Sequence, residues 1–325
     1  MRLIGILFLG LFPCLFAGNS DDLKVDFTLD KSHIHSKFSS AIKPVLRVPS
    51  GAVVKIETKE ATDGQFTPDS TADAIGGLDM GRIHPLTGPV YVEGAQPGDV
   101  LAVTLLKIEL TEWGWTAIIP GFGFLADEFK EPTLKHFAIT KDGKARFNDN
   151  IELELAPFPG VIGVAPAGEE MLSTIPPRAN GGNLDDPHLV EGTTVYLPVF
   201  VEGGLLSIGD PHAVQGLGEV CGTAIESPLN ITYQVRLIKG GRKISEPQYE
   251  TDLFYAVTGF ATTIDAAARK ATGFMVDYLV DEHGLDRKHA YMLCSLAGDL
   301  HIAETVDVPH MLVTMHMPKS IFKKK

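Results

Sequence analysis

The sequence predicts a mainly β fold of barrel- or sandwich-like units, with a smaller α/β part at the C-terminal end. Three observations predict it. Short β-branched and apolar runs recur through the first 250 residues. Glycine and proline, at 33 and 21 residues, cut the chain into short segments. A clear helical period appears only after residue 260.

The elements follow in order. Val45 to Thr58 alternates around Pro49-Ser50-Gly51 and reads as a hairpin-like pair. Val90-Tyr91-Val92 and Val100 to Leu110 flank a Pro97-Gly98-Asp99 turn. Thr193 to Val201 and Asn230 to Leu237 are further strand-like runs. Thr262 or Thr263 can cap a helix with Asp265 in its first turn. Ile264, Ala268, Ala271, Met275 and Tyr278/Leu279 recur at helical spacing, and Gly284 suits the C-terminal cap. A shorter helix is expected from about Arg287 to Leu296, ended by Gly298. Val306 and the Leu312-to-Met317 stretch read as closing strands. This divides the chain into residues 19–250, a β-rich catalytic region of one or two subdomains, and residues 251–325, an α/β part packed on the same unit. An internal echo is consistent with duplication. Val90-Tyr91-Val92-Glu93-Gly94 leads to Gly98-Asp99, and Val199-Phe200-Val201-Glu202-Gly203 leads to Gly209-Asp210.

Residues 1–18 differ from the rest. Met1-Arg2 precedes an apolar run from Leu3 to Phe12, then small residues at Ala17 and Gly18. That order reads as a secretory signal peptide, and a secreted or periplasmic location is expected. The run is too short for a transmembrane helix, which needs about 20 residues, so no membrane association is expected after cleavage. A net charge of −13 argues against nucleic acid and anionic membranes as partners. Cys221 and Cys294 alone follow the leader, too few for a disulfide framework. A homo-oligomer, dimer or higher, is expected.

Chemistry-bearing residues are densest from Gly209 to Glu226. Asp210 and His212 are two apart, and on extended backbone residues i and i+2 face the same way. Carboxylate plus imidazole suits Zn²⁺ and related divalent ions. Asn183 and Asp185 repeat the spacing after Gly181-Gly182, and His33 and His35 form a third such pair. Taken one at a time, each pattern also fits an ordinary polar turn.

A series of longer stretches decides between these readings. They are His84-Pro85-Leu86-Thr87-Gly88-Pro89-Val90-Tyr91-Val92-Glu93-Gly94-Ala95, Gly98-Asp99-Val100-Leu101, Trp113-Gly114-Trp115, Pro120-Gly121-Phe122-Gly123, Gly181 to Asp185, Gly209 to His212, and Leu296-Ala297-Gly298-Asp299-Leu300. Running in order from His35 to Phe322, the chain resembles the acetamidase/formamidase family. The resemblance implies hydrolysis of a small amide, such as formamide or acetamide, to carboxylate and ammonia, assisted by a divalent metal, Zn²⁺ first. Candidate ligands are His35, Asp185, Asp210, His212 and Glu226. Glu219 or Glu226 would act as general base and then proton donor. Asn183 or Gln215 would hydrogen-bond the carbonyl oxygen as charge develops.

Two positions depart from the family pattern: Leu217 stands where an aspartate is usual, and Phe38 where a tryptophan is common. Two other functions compete. Cys221 lies inside the dense stretch and a thiolate can attack an amide carbon. A secreted metal- or ligand-binding protein without turnover is the second. Trp113, Trp115, Phe122 and Phe124 are candidates for a pocket wall and equally for core.

Overall fold

The computed structural model describes residues 23–240 and 243–323. The leader expected over residues 1–18 lies outside the described residues. Two large sheets and two helices make up the fold. The first sheet has nine strands, in the order Phe27–Leu29, Val53–Glu57, Leu229–Ile238, Val100–Leu110, Thr194–Pro198, Gln248–Glu250, Phe254–Ala261, Met311–Pro318 and Asp299–Glu304. The second runs Gly181–Asn183, Phe158–Gly163, Leu206–Val214, Ile225–Glu226, Trp113–Ile118 and Thr133–Ala138. Leu86–Val92 also pairs with Leu206–Val214 and carries Ile34–His35 and Leu46–Val48 on its other side. The described chain is mainly β, with its two α-helices confined to the C-terminal part and short 3-10 turns at Ala72–Gly77 and Met80–Arg82.

The largest core lies between the sheets. Val54, Leu101, Val103, Leu197 and Val235 from the first meet Val90, Phe158, Ile162, Leu206 and Ile208 from the second, all essentially sealed from solvent. Burying such a side chain is worth about 1.5–3 kcal/mol, so these alternating positions hold the two sheets face to face.

Consecutive strands often belong to different sheets, and this corrects the expected hairpin at Pro49-Ser50-Gly51. The turn exists, with Ala52 N–H donating to the Pro49 carbonyl and Gly51 at φ +96°. However, Leu46–Val48 pairs in parallel with Leu86–Val92, whereas Val53–Glu57 pairs with Leu229–Ile238. Turn chemistry reports that the chain reverses. It does not report which neighbour each strand then finds.

The two echoing segments are both crossovers between sheets, and they lie against one another. Val92 N–H donates to the Gly203 carbonyl and Gly203 N–H to that of Ala95. Gly98 N–H donates to the Val199 carbonyl and Val199 N–H to that of Asp99. Asp99 ends a turn, but Asp210 sits inside the strand Leu206–Val214, so the resemblance stops before the chemistry begins.

The helices follow their sequence signals. α1 spans Ile264–His283; Thr263 accepts a hydrogen bond from Ala266 N–H, and Gly284 closes it in the left-handed conformation. Its Ala267, Ala271, Met275 and Leu279 pack on Val257, Val313 and Met315 of the first sheet. α2 spans Arg287–Ala297, capped by Asp286. Val306 lies outside the closing strands, which are Asp299–Glu304 and Met311–Pro318. Among the described residues no helix is long and apolar enough to cross a membrane. Cys221 and Cys294 are both free thiols.

Candidate active site

The strand Leu206–Val214 is the spine of the site. Phe158–Gly163 borders it along one side. On the other side its partner changes: Leu86 stands opposite Gly209, and Glu226 opposite His212. Asp210 falls at the change of partner and has a left-handed backbone, φ +49°. The alternation expected of Asp210 and His212 is therefore interrupted by a bend. Their side chains still converge, with His212 Nε2 3.4 Å from Asp210 Oδ2. Asp185 (φ +40°) and Glu219 (φ +43°) adopt the same uncommon conformation. Only five non-glycine described residues do so, and three of them are acids of one cluster. Strained backbone concentrates where a fold must aim side chains.

His212 is at the centre. Its ring is buried and packs edge-on against Phe158, with centroids 5.1 Å apart. Gln215 fixes the tautomer. The Gln215 amide nitrogen donates to the Asp185 carbonyl at 2.7 Å, which can only accept. Gln215 Oε1 therefore faces His212 Nδ1 at 2.9 Å, and that nitrogen must carry the hydrogen. Nε2 is left as the nitrogen open to a proton or a metal, 3.3 Å from Glu226 Oε2 and 3.4 Å from Asp210 Oδ2. No hydrogen bond reaches His212 Nε2, Glu226 Oε2 or Asp210 Oδ1. Behind them, a Cβ at Gly160 would come within 2.5 Å of Asp185 Oδ1 and 2.8 Å of His212 Cε1, so only glycine lets Phe158–Gly163 pass so closely.

A second group of acids adjoins the first. Asp185, His212 and Glu219 can bring ligand atoms together, as can Asp210, His212 and Glu226. Both oxygens of Asp185 are buried and unpartnered. Asp307 arrives from the loop after Asp299–Glu304 and accepts from Asn183 Nδ2 at 2.6 Å, while Asn183 Oδ1 stays unpartnered. Glu304 accepts from the backbone N–H groups of Val306 and Asp307, holding that loop in place.

So many acids in one dry place repel each other's charge. Burial, then Glu219 and Asp307, hold Asp185 well above the usual carboxylate range. Burial and Asp307 do the same to Glu219, and burial and Glu304 to Asp307. Burial alone would raise Asp210, but His84 and His212 beside it carry it below its ordinary value. Burial would lower His212, but Glu226 and Asp210 hold it well above its ordinary range. Buried, unpartnered oxygens around one imidazole lone pair call for a cation. The donor set fits a divalent metal ion. Because Nδ1 of His212 is committed to Gln215, Nε2 is the only free ligand atom of that ring. It points into the Asp210–Glu226 group.

A cavity of about 330 Å³ opens onto this cluster. Asp210, Glu219, Glu226, Asn183 and Asp307 form its polar end; Ile83, Met80, Trp115, Ile119, Phe122 and Ile175 form apolar walls. Trp115 is fixed by donating from its ring nitrogen to buried Glu60 at 3.0 Å. Of the four aromatic residues singled out from sequence, Trp115 and Phe122 line the cavity. Trp113 stacks on His136, and Phe124 is exposed.

The structure thus gathers Asp185, Asp210, His212, Glu219 and Glu226. Two expectations need correction. His35 belongs to neither ligand group: one ring nitrogen faces the Lys37 carbonyl at 2.6 Å and the other Ser207 Oγ at 2.8 Å. Gln215 cannot serve the substrate's carbonyl oxygen, because its amide nitrogen faces the carbonyls of Asp185 and Ala303. It positions His212 instead. Sequence reasoning missed His84, whose Nε2 lies 3.7 Å from Asp210 Oδ1, and Asp307. His84 stood in a recognised stretch; Asp307 had no local signal. Leu217, at the position of a usual acid, is 41% exposed and outside both ligand groups.

Gln215→Leu should keep the fold but weaken metal binding by about 10–100-fold, the usual cost of losing a partner that orients a ligating histidine. Metal titration of the stripped variant checks this; wild-type affinity would show that Gln215 orients nothing.

Comparison with known proteins gives the family. The profile of the Acetamidase/Formamidase family matches residues 21–173 and 167–324. An acetamidase of Mycolicibacterium smegmatis is 32% identical over 270 residues, covering 64% of this chain and 66% of the relative. A formamidase of Methylophilus methylotrophus is 27% identical over 369 residues, covering 89% of each. The crystal structure of an acetamidase from Bacillus halodurans superimposes with a TM-score of 0.86 at 35% identity, over 91% of this chain and 98% of that one.

Proposed function

We propose, from the premise that this chain belongs to the acetamidase/formamidase family and is a hydrolase of the carbon–nitrogen bond of small linear amides, that cleavage occurs where the cavity meets Asp210 and Glu226, with His212 directly behind them. One observation supports the placement: Asp210 and Glu226 line the cavity's polar end, and directly behind them the buried Nε2 of His212 lies 3.4 Å from Asp210 Oδ2 and 3.3 Å from the unpartnered Glu226 Oε2.

Those three residues would hold a divalent ion, Zn²⁺ first among candidates for an imidazole–carboxylate set. When bound, such an ion supplies Lewis acidity, polarising a carbonyl and lowering the pKa of water. The chain's own groups do the rest. Glu219, beside the ligands and lining the cavity, takes the proton of the attacking water and passes it to the leaving nitrogen. Asn183, expected to donate to the carbonyl oxygen, gives its amide nitrogen to Asp307 instead; its Oδ1, buried without a donor, accepts from the substrate's amide N–H. The apolar walls exclude water and admit a small apolar acyl group. The resulting carboxylate and ammonia leave through the same opening. Secretion or periplasmic export, and assembly as a homo-oligomer, complete the reading.

The test is ammonia release from formamide, acetamide and slightly larger aliphatic amides by the purified chain supplied with Zn²⁺. Release should scale with protein and vanish in Asp210→Ala. Equal release from that variant would remove the site from the reaction.

The competing nucleophile is disfavoured by geometry. Cys221 Sγ faces the carbonyls of Ala117 and Thr223 and the hydroxyls of Thr116 and Thr223, with no histidine among its partners to activate it. Cys221→Ser should retain full turnover in the same assay; loss of turnover with an intact fold would restore the thiol to the mechanism.

A further inference from the structure

A second histidine cluster lies away from the amide cavity. His188 follows the strand Gly181–Asn183, His301 lies on Asp299–Glu304, and His316 on the neighbouring Met311–Pro318. Each offers a ring nitrogen within 4.8 Å of the others. They border an open hollow together with Asp252, Phe254 and Asp299.

One buried carboxylate orients two of these rings. Asp186 Oδ1 lies 2.7 Å from His188 Nδ1, which therefore carries the hydrogen and leaves Nε2 free. Asp186 Oδ2 accepts from the Tyr249 hydroxyl at 2.5 Å. His316 Nε2 faces that hydroxyl at 2.7 Å and Thr314 Oγ1 at 3.0 Å, so both of its hydrogen-bond contacts fall on one ring nitrogen and Nδ1 is left without one. Among the described residues nothing hydrogen-bonds the His301 ring, which stacks on His316 with centroids 4.2 Å apart. Phe254 stacks on the other face of His316 at 4.2 Å. Stacking accounts for the ring faces. It does not account for a buried carboxylate that holds His188 directly and His316 through Tyr249, which is how ligating histidines are usually oriented.

We propose that His188, His301 and His316 form a second metal site, selective for a late first-row divalent ion such as Zn²⁺ or Cu²⁺. Three imidazoles without a carboxylate favour such ions over Mg²⁺ or Ca²⁺. The site is independent of the amide-cleaving cluster, although Asp185 and Asp186 are consecutive residues facing opposite ways, one to each.

The experiment compares the full chain with His301→Ala after chelation and dialysis. Each is saturated with Zn²⁺, freed of excess metal, and its bound zinc measured by atomic emission. Wild type should hold one equivalent more than the variant, with amidase turnover the same in both. Equal zinc in the two proteins would overturn the proposal. So would loss of turnover along with the equivalent, because that assigns the ion to the first cluster. Cu²⁺ added to the stripped wild type gives a reading independent of any variant's folding. Nitrogen splittings from three imidazoles are expected in its paramagnetic resonance spectrum, whereas a spectrum without them contradicts the assignment.

Discussion

His212→Ala should abolish one equivalent of bound metal and lower kcat/KM for the best amide by about 10³-fold or more, since the ion's stabilisation of transition-state charge is worth several kcal/mol. The size of the effect follows from the geometry. His212 contributes the one neutral nitrogen to a group whose other members, Asp210 and Glu226, are acids. Removing it leaves those acids buried at 3% exposure each, with His84 beside Asp210 as the remaining basic neighbour. Without the metal or the His212 ring between them, the two carboxylates repel or take up protons. The variant should therefore fail to recover when Zn²⁺ is raised, unlike Gln215→Leu, where the ligands remain and excess metal restores turnover. Metal content by atomic emission and ammonia release from one preparation decide the matter. Wild-type values for both would sink the assignment.

The limits of sequence reading are visible in the same residues. The cap, period and stop of α1 were all legible because each is a local property: Thr263 before an apolar stripe, Gly284 after it. Asp210 and His212 were legible as a pair, but for an incomplete reason. They meet across a left-handed residue at a change of strand partner, and nothing in Gly-Asp-Pro-His announces that bend. Asp307 was not legible at all. It reaches the cluster because Met311–Pro318 pairs between Phe254–Ala261 and Asp299–Glu304, and that pairing brings the intervening loop up to Asn183. His188, His301 and His316 are hidden in the same way. The failed hairpin at Pro49 has the same cause, since the strands after a turn are sorted by which face can be buried. Local chemistry names the parts, and long-range register decides which parts meet.

Chelation should make the protein's stability fall as pH rises through neutrality, and metal should reverse the trend. In the metal-free fold, burial pushes Glu304 up to about 7, and Asp185, Glu219 and Asp307 lie well above their ordinary values. A carboxyl with a raised folded-state pKa binds its proton more tightly folded than unfolded. Its contribution is complete below the unfolded value, about 4.5 for Glu, and is lost as pH climbs through the folded one. For Glu304 that window is about 4.5 to 7, and at 1.36 kcal/mol per pH unit the loss is on the order of 3 kcal/mol. The more strongly raised acids extend the decline above pH 7. His212, also raised, acts in the same direction. A bound divalent ion takes the place of these protons, so its stabilisation grows with pH. Thermal melts of chelated protein should fall by roughly 5 °C between pH 5 and 8, while Zn²⁺-loaded protein stays level or rises. Glu304→Gln should flatten the chelated curve by removing the group that titrates first. A chelated protein that grows more stable from pH 5 to 8 would mean that these carboxyls are already ionised in the fold, paired with a cation held by the protein itself, and the cluster would then have no need of a metal.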